Sequence, residues 1–280
     1  MRAPDAQRAV AAAVATATAL DLAVDDVAVL HDSNKLTLRL LPCDALARVA
    51  PGEPHVARFE IDLARRLAAS GSPVAALDPR VPPQVHERDG FAITLWTYYE
   101  PTTSDDVPPA DYAHALARLH AGMRDVDLAT PHFTDRVEQA RRLVASREHT
   151  PALVEEDRRL LADALAGLRR SIGERAAPDQ VLHGEPHPGN LVTTGHGPLF
   201  VDLETCCRGP VEFDLAHAPD AVADHYPGID HDLLRQCRTL VLAMITAWRW
   251  DRDDQFPDGR RLAARWLDRL RTDLHPDLRR

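Results

Sequence analysis

Four cysteines in 280 residues, Cys43, Cys206, Cys207 and Cys237, are too few and too unevenly spaced for a disulfide framework or a zinc site. The adjacent pair Cys206-Cys207 reads as small-residue packing rather than a redox couple, as expected of thiols kept reduced in the cytosol. No run reaches the roughly 18 apolar residues that a membrane span requires. Residues 9–20 are uncharged, but they are mostly Ala and Thr and run into Asp21, Asp25 and Asp26. They read as an N-terminal helix rather than the core of a signal peptide. A basic excess is missing too: 33 Lys and Arg stand against 43 Asp and Glu, a formal charge of −10. That balance argues against nucleic acid or an anionic membrane surface as partner and suits a cationic ligand. Lysine itself occurs once, at Lys35. What these absences leave is a soluble cytoplasmic chain, 45% hydrophobic and 27% charged, long enough for one large or two ordinary domains.

The residues that carry chemistry gather in Val181-Leu182-His183-Gly184-Glu185-Pro186-His187-Pro188-Gly189-Asn190, followed by Phe200-Val201-Asp202-Leu203-Glu204. Residues 191–194 and 199–202 are short apolar runs around Gly195-His196-Gly197-Pro198, the pattern of a hairpin. Pairing Thr194 with Leu199 sets Leu191 opposite Asp202 and brings Asn190 and Asp202 together at the open end. An amide oxygen beside a carboxylate, with Glu204 two residues on, makes a hard-oxygen site suited to Mg²⁺. Glu185 precedes Asn190 by five residues, on a loop that Pro186, Pro188 and Gly189 keep from being helical. An acid, four residues, an Asn and then a metal-binding Asp on the next strand is the order of kinase-type phosphoryl transfer.

The run His183-Gly184-Glu185-x-His187-x-x-Asn190 and then Asp202-x-Glu204 resembles the signature of the aminoglycoside phosphotransferase family of small-molecule kinases. Glu185 stands where that family has Asp, which moves the carboxylate out by roughly a bond length. Residues 208–216, with Gly209-Pro210 and Asp214-Leu215-Ala216, resemble the family's Gly-Pro-x-x-x-Asp-Leu-Ala segment. Residues 115–121 resemble its Leu-x-x-Leu-His segment. The resemblance implies an α+β, protein-kinase-like bilobal fold. Its small antiparallel-sheet N-lobe would cover residues 1–100. The larger, mainly helical C-lobe, residues 101–280, would carry the catalytic loop, the metal site and the acceptor site. It also implies that Asp214 is a buried acceptor fixing the catalytic loop through backbone N–H groups.

The patterning of the rest fits that implication. Residues 5–22 read as a helix, and 27–30, 36–41 and 45–50 as three strands. The first turn, Asp32-Ser33-Asn34, lacks the glycines of a protein-kinase loop but can lie over nucleotide phosphates, with backbone N–H groups and Ser33 as donors. Residues 54–70 read as a helix with Val56, Phe59, Leu63 and Leu67 in a stripe and Glu60 beside it. By position on the third strand, Arg48 is the phosphate ligand that a kinase needs, and Glu60 is its partner. Residues 85–87 and 91–99 form a hairpin around Asp89-Gly90, and residues 96–101 resemble the family's hinge. There the backbone of Thr97, Tyr98 and Tyr99 would hold the adenine edge, ahead of a linker at 101–109. Helices at 110–123, 233–250 and 261–274, with two more between 136 and 173, would build the second lobe.

The implied activity is transfer of the γ-phosphate of ATP, with GTP an open alternative, to a hydroxyl of a small cationic acceptor. An aminoglycoside or another antibiotic-like molecule, as in antibiotic resistance, is the leading acceptor class. Glu185 is the expected base, and Asn190, Asp202 and Glu204 the expected Mg²⁺ ligands. Two alternatives stand: a metabolic kinase of the homoserine or choline type, and a nucleotide-binding pseudokinase in which Glu185 has lost the catalytic geometry. Residues 101–280 carry a charge of −7 against −3 for residues 1–100, and Asp251, Asp253, Asp254 and Asp258 cluster between the last two helices. Both features agree with a cationic acceptor. The sequence carries no sign of oligomeric state.

Overall fold

The computed structural model describes residues 1, 3–33, 35–52, 54–100, 107–175 and 177–274. Asn34 and residues 101–106 of the expected linker lie outside the described residues. The helices are α1 (Ala3–Ala19), α2 (His55–Ala69), α3 (Pro109–Arg124), α4 (Phe133–Ala145), α5 (Glu155–Glu174), α6 (Val211–Leu215), α7 (His231–Arg249) and α8 (Gly259–Leu274). The strands are β1 (Val24–Asp32), β2 (Leu36–Pro42), β3 (Ala45–Pro51), β4 (His86–Arg88), β5 (Phe91–Thr97), β6 (Gln180–Leu182), β7 (Leu191–Thr194), β8 (Gly197–Phe200) and β9 (Cys207–Gly209). The chain divides into two compact units, Met1–Leu128 with Gly189–Thr205, and Ala129–Pro188 with Cys206–Arg280. Helix α3 and the β7–β8 hairpin thus belong with the sheet rather than with the later helices.

In the first unit, β1-β2-β3-β5-β4 form an antiparallel sheet. Alternate side chains point to opposite faces of a strand. Leu36, Leu38 and Leu40 of β2 and Ala45, Ala47 and Val49 of β3 are therefore buried on one face, against Ala9, Ala12, Ala13 and Ala17 of α1. Those alanines recur three and four apart, and their small side chains let the helix lie close to the sheet. The other face carries a row in which Thr37, Arg48 and Thr94 are neighbours across β2, β3 and β5. Helix α2 buries Glu60, Ile61, Leu63, Ala64 and Leu67. Its inward stripe is therefore turned from the expected one: Val56 is exposed, and Glu60 lies on the buried face rather than beside it.

The β7–β8 hairpin corrects the expected register. Thr194 pairs with Gly197 and Leu191 with Phe200, so Asp202 lies past the end of β8 and not opposite Leu191. The turn needs only Gly195-His196, because Gly197 takes a φ of 106° that a side chain would resist. The Thr194 hydroxyl closes it by donating to the Gly197 carbonyl at 2.8 Å. Asp202 itself sits at φ 65°, and the Val201 N–H donates to the Asn190 carbonyl at 3.0 Å, which keeps the two ends of the hairpin together.

The second unit is mainly helical. α4, α5, α7 and α8 enclose a core that includes Phe133, Leu161, Leu165, Phe213, Leu240 and Met244. The β6–β9 pair, Gln180 opposite Gly209 through Leu182 opposite Cys207, carries the chain into and out of that core. Among the described residues no helix is long and apolar enough to cross a membrane.

Candidate active site

Five charged side chains of the first unit meet at one place. Arg48 is on the face of β3 that α1 leaves open, Glu60 points inward from α2, and Lys35 immediately precedes β2. Asp202 follows β8, and Glu204 is in a single 3₁₀ turn, Leu203–Thr205. Arg48 donates through Nη1 to Glu60 Oε1 and through Nη2 to Asp202 Oδ1, the latter at 2.6 Å. Lys35 Nζ donates to the same Asp202 oxygen at 3.0 Å and lies 2.5 Å from Glu204 Oε2 and 3.9 Å from Glu60 Oε2. Glu60 Oε1 also accepts the Leu203 N–H at 3.0 Å, so α2 is fastened to the segment that carries Asp202.

Burial opposes ionisation of Arg48, Asp202 and Glu204, and the neighbouring charges set the outcome for each. Burial alone would raise the Asp202 carboxyl, but Arg48 and Lys35 outweigh it and hold the pKa down at about 2. Burial likewise works against the charge on Arg48, and Glu60 and Asp202 more than restore it. Glu204 is pushed up by burial and by the nearby Asp202 charge, despite Lys35.

The cluster borders a cavity of about 550 Å³ contained in this unit. Leu30, Leu46, Ala75, Trp96, Val192 and Phe200 give it apolar walls, and Ser33, Lys35, Arg48, Asn190 and Asp202 supply polar groups. Thr97, Tyr98 and Tyr99 line it as well, and each is braced. The Thr97 N–H donates to the Ala76 carbonyl at 2.9 Å, and its hydroxyl to the Leu77 carbonyl at 3.3 Å. The Tyr99 hydroxyl accepts the Ala76 N–H at 3.2 Å. The Arg39 guanidinium lies 4.0 Å from the centre of the Tyr98 ring and donates to its hydroxyl. Among the described residues no three His, Cys, Asp or Glu side chains are placed to hold a metal between them. The oxygen donors of Asn190 and Asp202 suit a hard cation that completes its shell with phosphate and water.

In the second unit, Asp214 of α6 is fully buried, and its two oxygens accept the His183 and Gly184 N–H groups, each at 2.8 Å. Gly184 at φ 89° makes the bend that turns both donors to one carboxylate. The His183 ring then accepts the Glu185 N–H at 3.4 Å. The Glu185 side chain is ion-paired with Arg136 of α4, whose guanidinium lies 5.2 Å from the centre of the Trp248 ring. Buried atoms with no hydrogen-bond partner among the described residues include Arg136 Nη1 and His217 Nε2. Burial pushes His217 down to about 4, against the opposing pull of Glu185 and Asp214. The Asp251 to Asp258 cluster satisfies itself: Asp254 pairs with Arg249, Asp258 with Arg261 and Asp253 with Arg252.

The sequence profile of the phosphotransferase enzyme family matches residues 24–237, most of the chain. The chain belongs to that family. Among solved structures this phosphotransferase-family chain is similar to the amicoumacin kinase hAmiN in complex with AMP-PNP, Ca²⁺ and Ami, at 13% identity and TM-score 0.73 over 96% of both chains. It is similar to the GDP complex of aminoglycoside 2'-phosphotransferase-IIIa, at 13% identity and TM-score 0.70, over 94% of this chain and 98% of that one. A choline/ethanolamine kinase family protein from Mesorhizobium loti is similar at 17% identity and TM-score 0.67, over 89% and 88%. No curated protein matches the sequence. The fold is therefore kinase-like, an antiparallel-sheet region followed by a helical one.

Of the residues singled out from sequence, Arg48, Glu60, Asp202 and Glu204 come together in the first unit, with Ser33, Asn190 and Thr97 to Tyr99 on the same cavity. Glu185 is on the loop that Asp214 fixes. Two partners escaped the sequence reading. Local pattern shows Lys35 only as a residue ahead of the second strand, although a lone lysine in an arginine-rich chain is a visible signal. Arg136 is 49 residues before Glu185 on another element, and no local pattern joins them.

Proposed function

We propose that this phosphotransferase moves the terminal phosphate of ATP to a hydroxyl of a small molecule. The hydroxyl oxygen forms the new bond to phosphorus, the bond to the β-phosphate oxygen breaks, ADP leaves, and Glu185 takes the hydroxyl proton. Arg48 holds the phosphates, Glu60 holds Arg48 in place, and Ser33 covers the phosphates from the first turn. Thr97, Tyr98 and Tyr99 border the base. Asn190 and Asp202, with Glu204 beside them, would hold Mg²⁺, which neutralises phosphate charge when bound. The observation that carries this reading is the Arg48–Glu60–Asp202 network on an apolar cavity wide enough for a nucleotide base.

For the acceptor we favour a small cationic alcohol, an aminoglycoside or another antibiotic-like molecule ahead of a metabolic one of the choline or homoserine type. Support comes from the −7 charge of residues 101–280 and from similar folds in kinases named for aminoglycosides and choline. Arginines already pair with three of the aspartates at 251–258, which favours a seat for its amine elsewhere. ATP as donor and four free cysteines fit a cytoplasmic location.

A nucleotide-binding protein without transfer is the second reading, favoured by Arg136 holding Glu185. ADP release from Mg-ATP and Mg-GTP, measured across aminoglycosides, peptide antibiotics and amino alcohols, separates the two. Turnover with one acceptor class is expected, and Glu185→Gln should lower it by roughly 100-fold or more while nucleotide affinity stays within about twofold. Nucleotide binding with no phosphorylated acceptor in the whole panel would favour the second reading.

A further inference from the structure

Lys35 and Arg48 share one oxygen, Asp202 Oδ1, but they are held differently. Arg48 is clamped: two of its nitrogens reach two different carboxylates, and it springs from an inner strand of the sheet. Lys35 comes from the bend before β2 on a four-carbon stem, and an ammonium has no fork to fix its direction. Its side chain also has room to move. Besides the 550 Å³ cavity, Lys35 lines a second one of about 340 Å³ bordered by Ala50, His55, Glu60, Thr94 and Glu204. Its ammonium meets Asp202 at 3.0 Å and Glu204 at 2.5 Å, two of the groups that the proposed function gives to a divalent cation. Two cations cannot both take those oxygens at full strength, because each would repel the other across a few ångströms. The turn that ends in Lys35 is also the one that the proposed function lays over the phosphates, and it is closed by the Ser33 N–H donating to the Lys35 carbonyl at 3.1 Å.

From this geometry we infer that Lys35 is an exchangeable counter-ion of the metal-binding carboxylates. In the nucleotide-free protein its ammonium neutralises Asp202 and Glu204. It yields them to a divalent cation and takes phosphate oxygens of the nucleotide instead. The inference rests on the nucleotide and metal reading above. It adds that the protein binds a divalent cation alone poorly, and that Lys35 contributes to nucleotide affinity with Arg48.

The test measures binding rather than turnover. Mn²⁺ affinity of the nucleotide-free protein is read by electron paramagnetic resonance, and affinity for a nonhydrolysable ATP analogue with Mg²⁺ by calorimetry. Lys35→Met should bind Mn²⁺ roughly tenfold tighter and the analogue roughly tenfold weaker, opposite signs from one substitution. Unchanged or weaker Mn²⁺ binding overturns the exchange, as does unchanged analogue binding. A second arm uses the wild-type chain. Lys35 carries the only lysine amine, so acylation followed by mass spectrometry reports it directly. Its labelling should rise with Mn²⁺ alone and fall when the analogue is added, whereas equal labelling in all three conditions overturns the inference. Wild-type protein that bound no nucleotide would remove the nucleotide reading, and the Mn²⁺ arms would still decide the exchange.

Discussion

Glu185 carries one more methylene than the Asp of its family's motif, and with it one more rotatable bond that must be fixed for a base to be effective. Arg136 fixes it. The guanidinium is ion-paired with the carboxylate, lies against Trp248, and is itself largely buried. On the transfer reading proposed above, Arg136 is thereby a positioning residue, acting on the acceptor only through Glu185. Replacing it with Met should cut kcat by roughly 10- to 100-fold and leave nucleotide affinity unchanged, and Arg136→Lys should recover part of the loss. Steady-state kinetics check this, and a loss confined to the KM for ATP would contradict it. The same scale shows why sequence reading stops where it does. Arg48 and Glu60 are a strand and a helix apart, twelve residues, and strand order alone suggests their pairing. Lys35 to Asp202 and Arg136 to Glu185 span 167 and 49 residues, and only tertiary packing brings them together.

At the scale of elements, β2 and β3 are legible because more and less buried residues alternate along them, β4 and β5 because Asp89-Gly90 marks the turn between them, and α2 because its apolar positions recur at helical spacing. The strands β6 and β9 are not, since three residues each give no period. The hairpin register differs from the expected one because Gly197 reads as turn although it is the first residue of β8. Helix α6 is short, yet its Asp214 sets the loop that carries Glu185. Asp214→Ala would leave the His183 and Gly184 N–H groups buried without their carboxylate, at a cost of about 2–5 kcal/mol. Denaturant unfolding should show that loss, and proteolysis should cut the loop at residues 183–188 faster. Asp214→Asn, which keeps one acceptor oxygen, should lose less. Equal stability of all three proteins would show that the loop is held by something other than α6.

For the whole molecule, two cores imply that unfolding need not be a single transition. The two units also respond differently to acid. In the first, Asp202 is held at about 2 against an ordinary value of 3.8, so its contribution is complete above that value and is lost only as the pH falls toward 2. Glu204, pushed up by burial, works in the opposite direction. In the second unit, burial holds His217 at about 4 against an ordinary 6.5. The folded state keeps the ring neutral while the unfolded chain takes up the proton. Stability from this group is therefore complete above 6.5 and is lost as the pH falls to about 4, on the order of 2–3 kcal/mol. The second unit should weaken first between pH 7 and 4.5. Three of the four tryptophans, Trp248, Trp250 and Trp266, report on it, and Trp96 reports on the first. Tryptophan emission during thermal unfolding should shift to lower temperature over that range, and His217→Gln should flatten the shift. A nonhydrolysable ATP analogue should raise the unfolding temperature of the first unit by mass action, with a larger gap between the two transitions at pH 5 than at pH 7. A pH slope unchanged by His217→Gln would assign the acid sensitivity to groups other than this ring.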